Sequence, residues 1–278
     1  MFKNILFLGT PKFAETIFSA IYKEGIIPKA VISMPDRPKG RKNQLFEPEV
    51  KQWAKSNKLS VYQPASSNEL RQTLKELQPD LLIVIAYGMI FPPDIVDEYL
   101  LINVHASILP KYRGASPIQA TLLSGDMESG VTLIKIAHQV DNGDIISIKK
   151  VPIEEQDNLE SLNCKLEKAG IDLLKKQLDI PIEKWKYLKQ EESGSSYTYK
   201  IKKEDGYIEF GRETSIEIIR KLRAYTPWPG VYTIKDGKRV KILDANIKNG
   251  NLVIQTVQLE GKNAISYSDF INGFGSLF

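Results

Sequence analysis

The residues most able to do chemistry lie in residues 103–119, which read NVHASILPKYRGASPIQ. Asn103 and His105 stand two positions apart, directly after a short apolar run. In a strand, residues i and i+2 project from the same face, and open α/β sheets build their sites at the carboxyl ends of strands. Asp141 follows in the segment VDNGD. An amide, an imidazole and a carboxylate together suit a reaction that passes through an oxyanion and moves protons near neutral pH.

Each of these residues also has a structural interpretation. A lone histidine is more often a structural residue than a catalytic one, and Asp-Asn-Gly is a strong turn sequence. The position of His105 at a strand end, beside Asn103 and before a Pro/Gly-rich loop, favours the catalytic interpretation. His138 has no such neighbours and is predicted to be an ordinary loop residue.

A second feature is the segment 34–48, MPDRPKGRKNQLFEP, which is predicted to be a loop. It carries four basic residues within six positions, namely Arg37, Lys39, Arg41 and Lys42. Long loops are often functional, and basic residues beside a catalytic strand end suit an anionic substrate. A solvated turn explains the same charges equally well.

The pattern of elements predicts the architecture. Apolar runs at 4–8, 29–33, 80–86 and 100–105 alternate with helix signals, which indicates a parallel or mixed sheet covered on both faces. We therefore expect an α/β fold, with a Rossmann-like doubly wound catalytic domain over residues 1–180.

Residues 181–198 are polar, charged and end in a Gly-Ser tract, so they are predicted to be a linker. Residues 199–278 are predicted to form a small β-rich, barrel-like C-terminal domain. Its short strand runs are separated by Asp236-Gly237 and Asn249-Gly250, which are hairpin turn sequences.

Composition excludes several classes of protein. The chain has 278 residues, one cysteine and two histidines, so an internal disulfide is impossible and neither thiolate nor zinc ligand spacing is present. It has no apolar run long enough to span a membrane, and the cytoplasm is the expected location. Residues 1–180 hold 22 basic and 22 acidic side chains, which leaves 16 against 12 for residues 181–278. The net charge of +4 thus lies in the C-terminal third and hints at an anionic partner there.

Taken together, NVHASILPKYRGASPIQ and VDNGD resemble the folate-dependent formyltransferases. LFLGTPKFA, MPDRPKGR, VIAYGMIFP, GVTLIKI and AYTPWPG are similar to the methionyl-tRNA formyltransferase branch of that family. The resemblance implies transfer of a formyl group from 10-formyltetrahydrofolate, a co-substrate, to the amino group of initiator methionyl-tRNA. It implies no metal, and we expect a monomer.

The resemblance also assigns roles to residues. It implies that Asn103, His105 and Asp141 are the catalytic trio. It implies that Arg41 contacts the tRNA acceptor end, and the neighbouring basic residues of the loop are expected to share this role. The residues implied to bind the folate are Ser107, Ile108, Leu109 and Pro110, with Tyr87 and Gly88 near the pterin pocket.

One departure from the family pattern keeps alternatives open. The C-terminal region is shorter than usual, with little sequence between Asp244 and the Asn249-Gly250 turn. A sugar-nucleotide N-formyltransferase, which shares the catalytic trio, is the main alternative. A non-catalytic RNA-binding module is disfavoured by the intact trio. A dinucleotide oxidoreductase is weakest, because GTPKFA after the first strand is not the G-x-G-x-x-G fingerprint.

Overall fold

The computed structural model describes residues 2–39 and 44–278. The strands are β1 (Ile5–Gly9), β2 (Ala30–Ile32), β3 (Arg37–Lys39), β4 (Gln44–Phe46), β5 (Val61–Tyr62), β6 (Leu81–Ile85), β7 (Leu101–His105), β8 (Arg113–Gly114), β9 (Glu128–Lys135), β10 (Ile145–Pro152), β11 (Tyr197–Thr198), β12 (Val231–Lys235), β13 (Lys238–Lys248), β14 (Asn251–Leu259) and β15 (Ala264–Ser266). The α-helices are α1 (Lys12–Lys23), α2 (Glu49–Ser56), α3 (Ser67–Leu77), α4 (Pro93–Glu98), α5 (Pro117–Ser124), α6 (Leu159–Leu178), α7 (Ser215–Tyr225) and α8 (Tyr267–Phe274).

The chain divides into two compact units. The first contains the chain up to Gly114, Gly130–Val151 and Cys164–Tyr197, and the second contains Ala115–Ser129, Pro152–Asn163 and Thr198–Phe278. No helix within the described residues has both the length and the apolar character that crossing a membrane requires.

The first unit is built on a seven-stranded sheet with the order β10-β9-β7-β6-β1-β2-β5. Strands β5, β2, β1, β6 and β7 run parallel to one another, and β9 is antiparallel to β7. Every residue of β6 is buried, which explains why this strand is an unbroken apolar run. The α/β fold with a central, mostly parallel sheet is therefore confirmed.

The chain reverses its direction across the sheet between β1 and β6, which lie side by side in its middle. Ligands of open α/β sheets bind outside the carboxyl ends of the strands at such a switch point. Gly9 ends β1, and a Cβ there would lie only 2.7 Å from the Cβ of Ala14 on α1. The glycine thus lets α1 pack closely against the strand end. The Thr10 hydroxyl then donates to the Tyr87 carbonyl at 2.6 Å, which ties the two strand ends together.

The segment predicted to be a linker packs onto the first unit over most of its length. The backbone of Leu188 exchanges two hydrogen bonds with Ile145, at 2.8 and 2.9 Å. Ser196 accepts from the backbone amide of Arg113 at 2.8 Å. The polar composition of the segment therefore reflects exposed side chains on an attached backbone.

The second unit contains a four-stranded antiparallel sheet with the order β12-β13-β14-β15. Both hairpin turns are where the sequence predicts them, because Asp236, Gly237, Asn249 and Gly250 all have positive φ values. The β-rich C-terminal region is confirmed. Within the described residues the strands of this sheet follow one another in a linear order, with β12 and β15 at its two ends. In this described part of the chain the two end strands do not pair with each other, so the sheet does not close into a barrel.

Local sequence signals explain some of these elements but not others. Ser66, a favoured N-cap residue, caps α3 by accepting from the Glu69 amide. Residues 34–48 are not a plain loop, because β3 and β4 pair there as a short antiparallel hairpin. Helices α4 and α8 are not among the predicted elements, and α4, with six residues, is too short to show a clear helical period.

Candidate active site

Strand β7 presents Asn103 and His105 as neighbours on one face. The backbone of Asn103 pairs with Val84 of β6 on one side and with Ile134 of β9 on the other, and this double pairing fixes its position. His105 is 5% exposed. The predicted same-face arrangement of amide and imidazole at the end of a buried strand is thus present.

Asp141 lies beside both residues. Its Oδ1 accepts from the Asn103 Nδ2 at 3.2 Å, and its Oδ2 lies 3.4 Å from the His105 Nδ1. Asp141 has a φ of +50°, a conformation that Asp tolerates better than most residues. Two positions later, a Cβ on Gly143 would lie 1.6 Å from the Lys135 carbonyl oxygen, so only glycine fits this turn. The VDNGD sequence therefore forms the turn and also positions the Asp141 carboxylate.

The chain segment 112–114 contacts both partners of this cluster. The His105 Nε2 lies 2.9 Å from the Tyr112 carbonyl oxygen, and the Gly114 amide donates to the Asp141 Oδ2 at 2.9 Å. Both ring nitrogens of His105 therefore face oxygens that accept hydrogen bonds when Asp141 is ionised. Contacts at both nitrogens thus fix the orientation of the imidazole ring.

The predicted folate-binding turn 107–110 is held from within by Thr132. The Thr132 hydroxyl donates to the Ser107 carbonyl at 2.7 Å and accepts from the Leu109 amide at 3.1 Å. Ser107 and Leu109 are buried, whereas Ile108 and Pro110 are partly exposed. Leu109 and Pro110 are joined by a cis peptide bond. The partly exposed pair is thus the part of the turn that a ligand can reach.

Tyr87 and Gly88, predicted near the pterin pocket, follow the end of β6. The Tyr87 ring is 2% exposed and stacks on Phe91 with 5.8 Å between ring centroids. Burial raises the pKa of the Tyr87 phenol well above its usual range. Its hydroxyl has no hydrogen-bond partner within the described part of the chain. Gly88 is exposed and has a φ of +99°. The backbone therefore turns at Gly88, just beyond the carboxyl end of β6.

Only part of the predicted tRNA-binding set can be placed. Arg37 is exposed at the start of β3, and the backbone of Lys39 ends that strand. Arg41 and Lys42 lie outside the described residues. Asp36, just before Arg37, accepts hydrogen bonds from Lys51 at 2.7 Å and from Gln63 at 2.8 Å. The hydrogen bond from Lys51 is the main reason that the pKa of Asp36 is lowered.

Sequence reasoning missed the residues that support the trio. Tyr112 and Gly114 act through their backbones, and Thr132 through a buried hydroxyl. The only signal for Tyr112 and Gly114 is their position in KYRG, next to the site. The only signal for Thr132 is that it is a polar residue within the apolar run of β9. Gln190 lies in a polar tract that carried no signal at all. No group of three or more His, Cys, Asp or Glu that could hold a metal ion occurs among the residues described.

Comparison with known proteins identifies the family. The formyl transferase model matches residues 3–178, and the model of the formyl transferase C-terminal domain matches residues 200–251. The chain belongs to the formyl transferase family. Relatives in this family include the methionyl-tRNA formyltransferases of Geobacter sulfurreducens, 33% identical over 98% of this chain and 94% of that one, and of Dehalococcoides mccartyi (strain CBDB1), 37% identical over 97% and 95%.

Solved structures of formyltransferases share the fold. A methionyl-tRNA formyltransferase from Clostridium thermocellum has a TM-score of 0.64 and 16% identity, over 92% of this chain and 98% of that one. An N-formyltransferase from Helicobacter canadensis, in complex with folinic acid and dTDP-3-aminofucose, has a TM-score of 0.68 and 23% identity, over 88% of each chain. At these identities the formyl transferase likeness concerns the fold alone.

Proposed function

We propose that this protein transfers the formyl group of 10-formyltetrahydrofolate to the α-amino group of initiator methionyl-tRNA. The product, N-formylmethionyl-tRNA, serves translation initiation. The observation that carries the proposal is identity of 33% and 37% to methionyl-tRNA formyltransferases over nearly the whole chain. The cluster of Asn103, His105 and Asp141 supplies the chemical groups that such a transfer needs.

In the proposed reaction the amine nitrogen attacks the formyl carbon and gives a tetrahedral intermediate with a negatively charged oxygen. Asn103 has a second amide hydrogen besides the one that it donates to Asp141, and this hydrogen is available to the oxyanion. In the proposed mechanism a protonated His105 adds positive charge beside it. The intermediate collapses as the bond from carbon to the N10 of the folate breaks.

Proton movement completes the reaction. The attacking nitrogen gains positive charge and loses a proton, and the departing N10 gains one, so the products are the formylated amine and tetrahydrofolate. Asp141 is the candidate carrier because its side chain is 13% exposed and lies beside the imidazole. The Asp141 carboxylate accepts hydrogen bonds from Asn103 and Gly114 and lies 3.4 Å from the His105 Nδ1, so it is held in one orientation, which favours transfer along a fixed path.

The folate would bind at the edge formed by the 107–110 turn and the 86–88 backbone. Ile108 and Pro110 offer partly exposed apolar surface at that turn, and Gly88 lets the chain at the end of β6 approach a ligand closely. Ser107 and Leu109 would shape the turn from within, because Thr132 holds their backbone groups.

Two features favour tRNA as the acceptor over an amino sugar linked to a nucleotide. Residues 34–48 carry four basic side chains, Arg37, Lys39, Arg41 and Lys42, and residues 181–278 carry 16 basic against 12 acidic side chains. Contacts of basic side chains with phosphates supply much of the affinity for nucleic acid.

We propose that the protein works in the cytoplasm as a monomer. Light scattering on the purified protein would test the monomeric state.

The experiment offers both acceptors side by side. Purified protein with 10-formyltetrahydrofolate would receive either methionyl-tRNA or a nucleotide-linked amino sugar at matched concentrations. We expect kcat/KM for methionyl-tRNA to exceed that for the amino sugar by several orders of magnitude. Deacylated tRNA is the control for binding without an amine. Faster formylation of the amino sugar would make the alternative function the correct one.

A further inference from the structure

The segment 188–197 crosses the first unit between two loops of the candidate active site. Leu188 is bonded to Ile145, which directly follows the turn that carries Asp141. Ser196 accepts from the Tyr112 amide through its hydroxyl at 2.8 Å and from the Arg113 amide through its carbonyl, also at 2.8 Å. Both ends of this segment are therefore attached beside groups that orient the proposed catalytic residues.

Between those ends lies Gln190, partly buried in a run of mostly exposed residues. Its Nε2 donates to the carbonyl oxygens of Asp141 at 2.8 Å and of Gly143 at 2.7 Å. Its Oε1 accepts from the Arg113 Nε at 3.0 Å. One carboxamide thus uses both of its donor hydrogens on the catalytic turn and its acceptor on Arg113.

Arg113 occupies the position between the two backbone groups that hold the imidazole and the carboxylate. Its side chain is fully buried. Its Nη1 donates to the Glu192 carboxylate at 3.1 Å and to the Tyr197 hydroxyl at 3.0 Å. A buried guanidinium with charge-assisted bonds is held in one place. Residues 112 and 114, which contact His105 and Asp141, are therefore fixed by the side chain between them.

The backbone at these points needs such support. Tyr112 has a φ of +63° and Asp141 a φ of +50°, values that cost energy for residues other than glycine and persist where surrounding contacts hold them. Gln190 contacts the carbonyl of one of these residues and the side chain that follows the other. Its side chain thus hydrogen-bonds both the Asp141 turn and the side chain of Arg113.

We propose that Gln190 is a positioning residue for the transfer reaction. It acts through Arg113 and the Asp141 turn, and it sets the separation of the Asp141 carboxylate from His105. The part of this proposal that concerns rate rests on the proposed function, and the part that concerns geometry does not.

The test uses Gln190→Met, which keeps the length of the side chain and removes its three hydrogen bonds. The chain has two histidines, so the Cε1–H resonances of His105 and the exposed His138 can be followed separately by NMR. We expect the His105 resonance to move and the His138 resonance to stay. Gln72→Met, at an exposed position of α3, is the matched control and should move neither.

Kinetics give an independent readout. A misplaced catalytic group can cost as much as a hundredfold in rate, so we expect Gln190→Met to lower kcat on the order of tenfold or more. KM for both substrates should stay within about twofold, because the Gln190 carboxamide is engaged with Arg113, Asp141 and Gly143 of the protein itself. In an Asp141→Ala background the same substitution should lower kcat little further, because the two changes act through one group.

Gln190→Glu is the second variant, since a carboxylate of the same length can accept from Arg113 but cannot donate to the two carbonyls. It should shift the His105 resonance in the same direction as Gln190→Met. An unmoved His105 resonance together with an unchanged kcat in both folded variants would overturn the proposal. A wild-type protein that fails to formylate methionyl-tRNA would overturn only the proposed function, because the NMR comparison uses no substrate.

Discussion

Replacing Thr132 with valine should destabilise the first unit by removing one buried hydroxyl from the 107–110 turn. Thr132 is fully buried, and its hydroxyl bridges the Ser107 carbonyl and the Leu109 amide. Valine has the same shape but leaves both backbone groups without this partner. A buried polar group that loses its partner costs about 1–3 kcal/mol, so for the two groups we expect a loss of roughly 2–6 kcal/mol in the free energy of unfolding.

The assay is urea-induced unfolding followed by tryptophan fluorescence. Trp53 and Trp185 are 8% and 6% exposed, so both report on unfolding of the first unit, whereas Trp228 is 52% exposed. Thr73→Val is the matched control, because the Thr73 hydroxyl donates to the Glu69 carbonyl one turn earlier in α3. That carbonyl keeps its helical hydrogen bond, so the control should cost less than about 1 kcal/mol.

The same substitution should raise KM for the folate more than it lowers kcat, because it loosens a turn that is proposed to contact the folate. The reasoning would be refuted if Thr132→Val and Thr73→Val changed the free energy of unfolding equally. That result would mean that the two backbone groups find other partners when the bridging hydroxyl is removed.

Three further predictions concern the site. Asn103→Ala, His105→Ala and Asp141→Ala should each lower kcat on the order of a hundredfold in a folded protein, and near-normal turnover of any of them at saturating substrates would exclude it from the trio. Because burial raises the pKa of Tyr87 above the value of about 10 for an unfolded tyrosine, stability should fall as pH rises past 10. Tyr87→Phe should reduce that fall in urea titrations at pH 9 and 11 and leave stability at pH 7 unchanged or higher; an identical fall in both proteins would contradict the buried position of the phenol. Arg41→Ala should raise KM for methionyl-tRNA and leave the binding of a folate analogue unchanged. The control Lys75→Ala, at an exposed position of α3, should change neither. Equal losses for both ligands in Arg41→Ala would indicate that Arg41 is structural.

Much of the fold could be predicted from the sequence, because its strongest signals are local. The buried runs of β1, β6 and β7, the Ser66 cap and the two hairpin turns each follow from short-range patterns. The hairpin of β3 and β4 could not be predicted, because strands of three residues show no period and β3 also contains a proline. The linear order of the second sheet depends on pairings between distant strands, which local patterns do not fix.

The parts of the candidate site that could be predicted are the side chains close together in the sequence or marked by a turn motif. Asn103 and His105 share a strand, and the turn chemistry of VDNGD marks Asp141. The supporting residues could not be predicted in this way. Thr132 and Gln190 lie 27 and 85 positions from His105, and their roles depend on hydrogen bonds to backbone groups, which leave no residue-type pattern.

The most direct test of the central claim is a single-turnover measurement of formyl transfer to methionyl-tRNA. Wild-type protein and His105→Ala would be compared with enzyme in excess over methionyl-tRNA and with saturating 10-formyltetrahydrofolate. We expect rapid formylation by the wild type and a rate constant lower on the order of a hundredfold for the variant. Equal rate constants, or no transfer by the wild type under conditions in which it formylates an amino sugar, would contradict it.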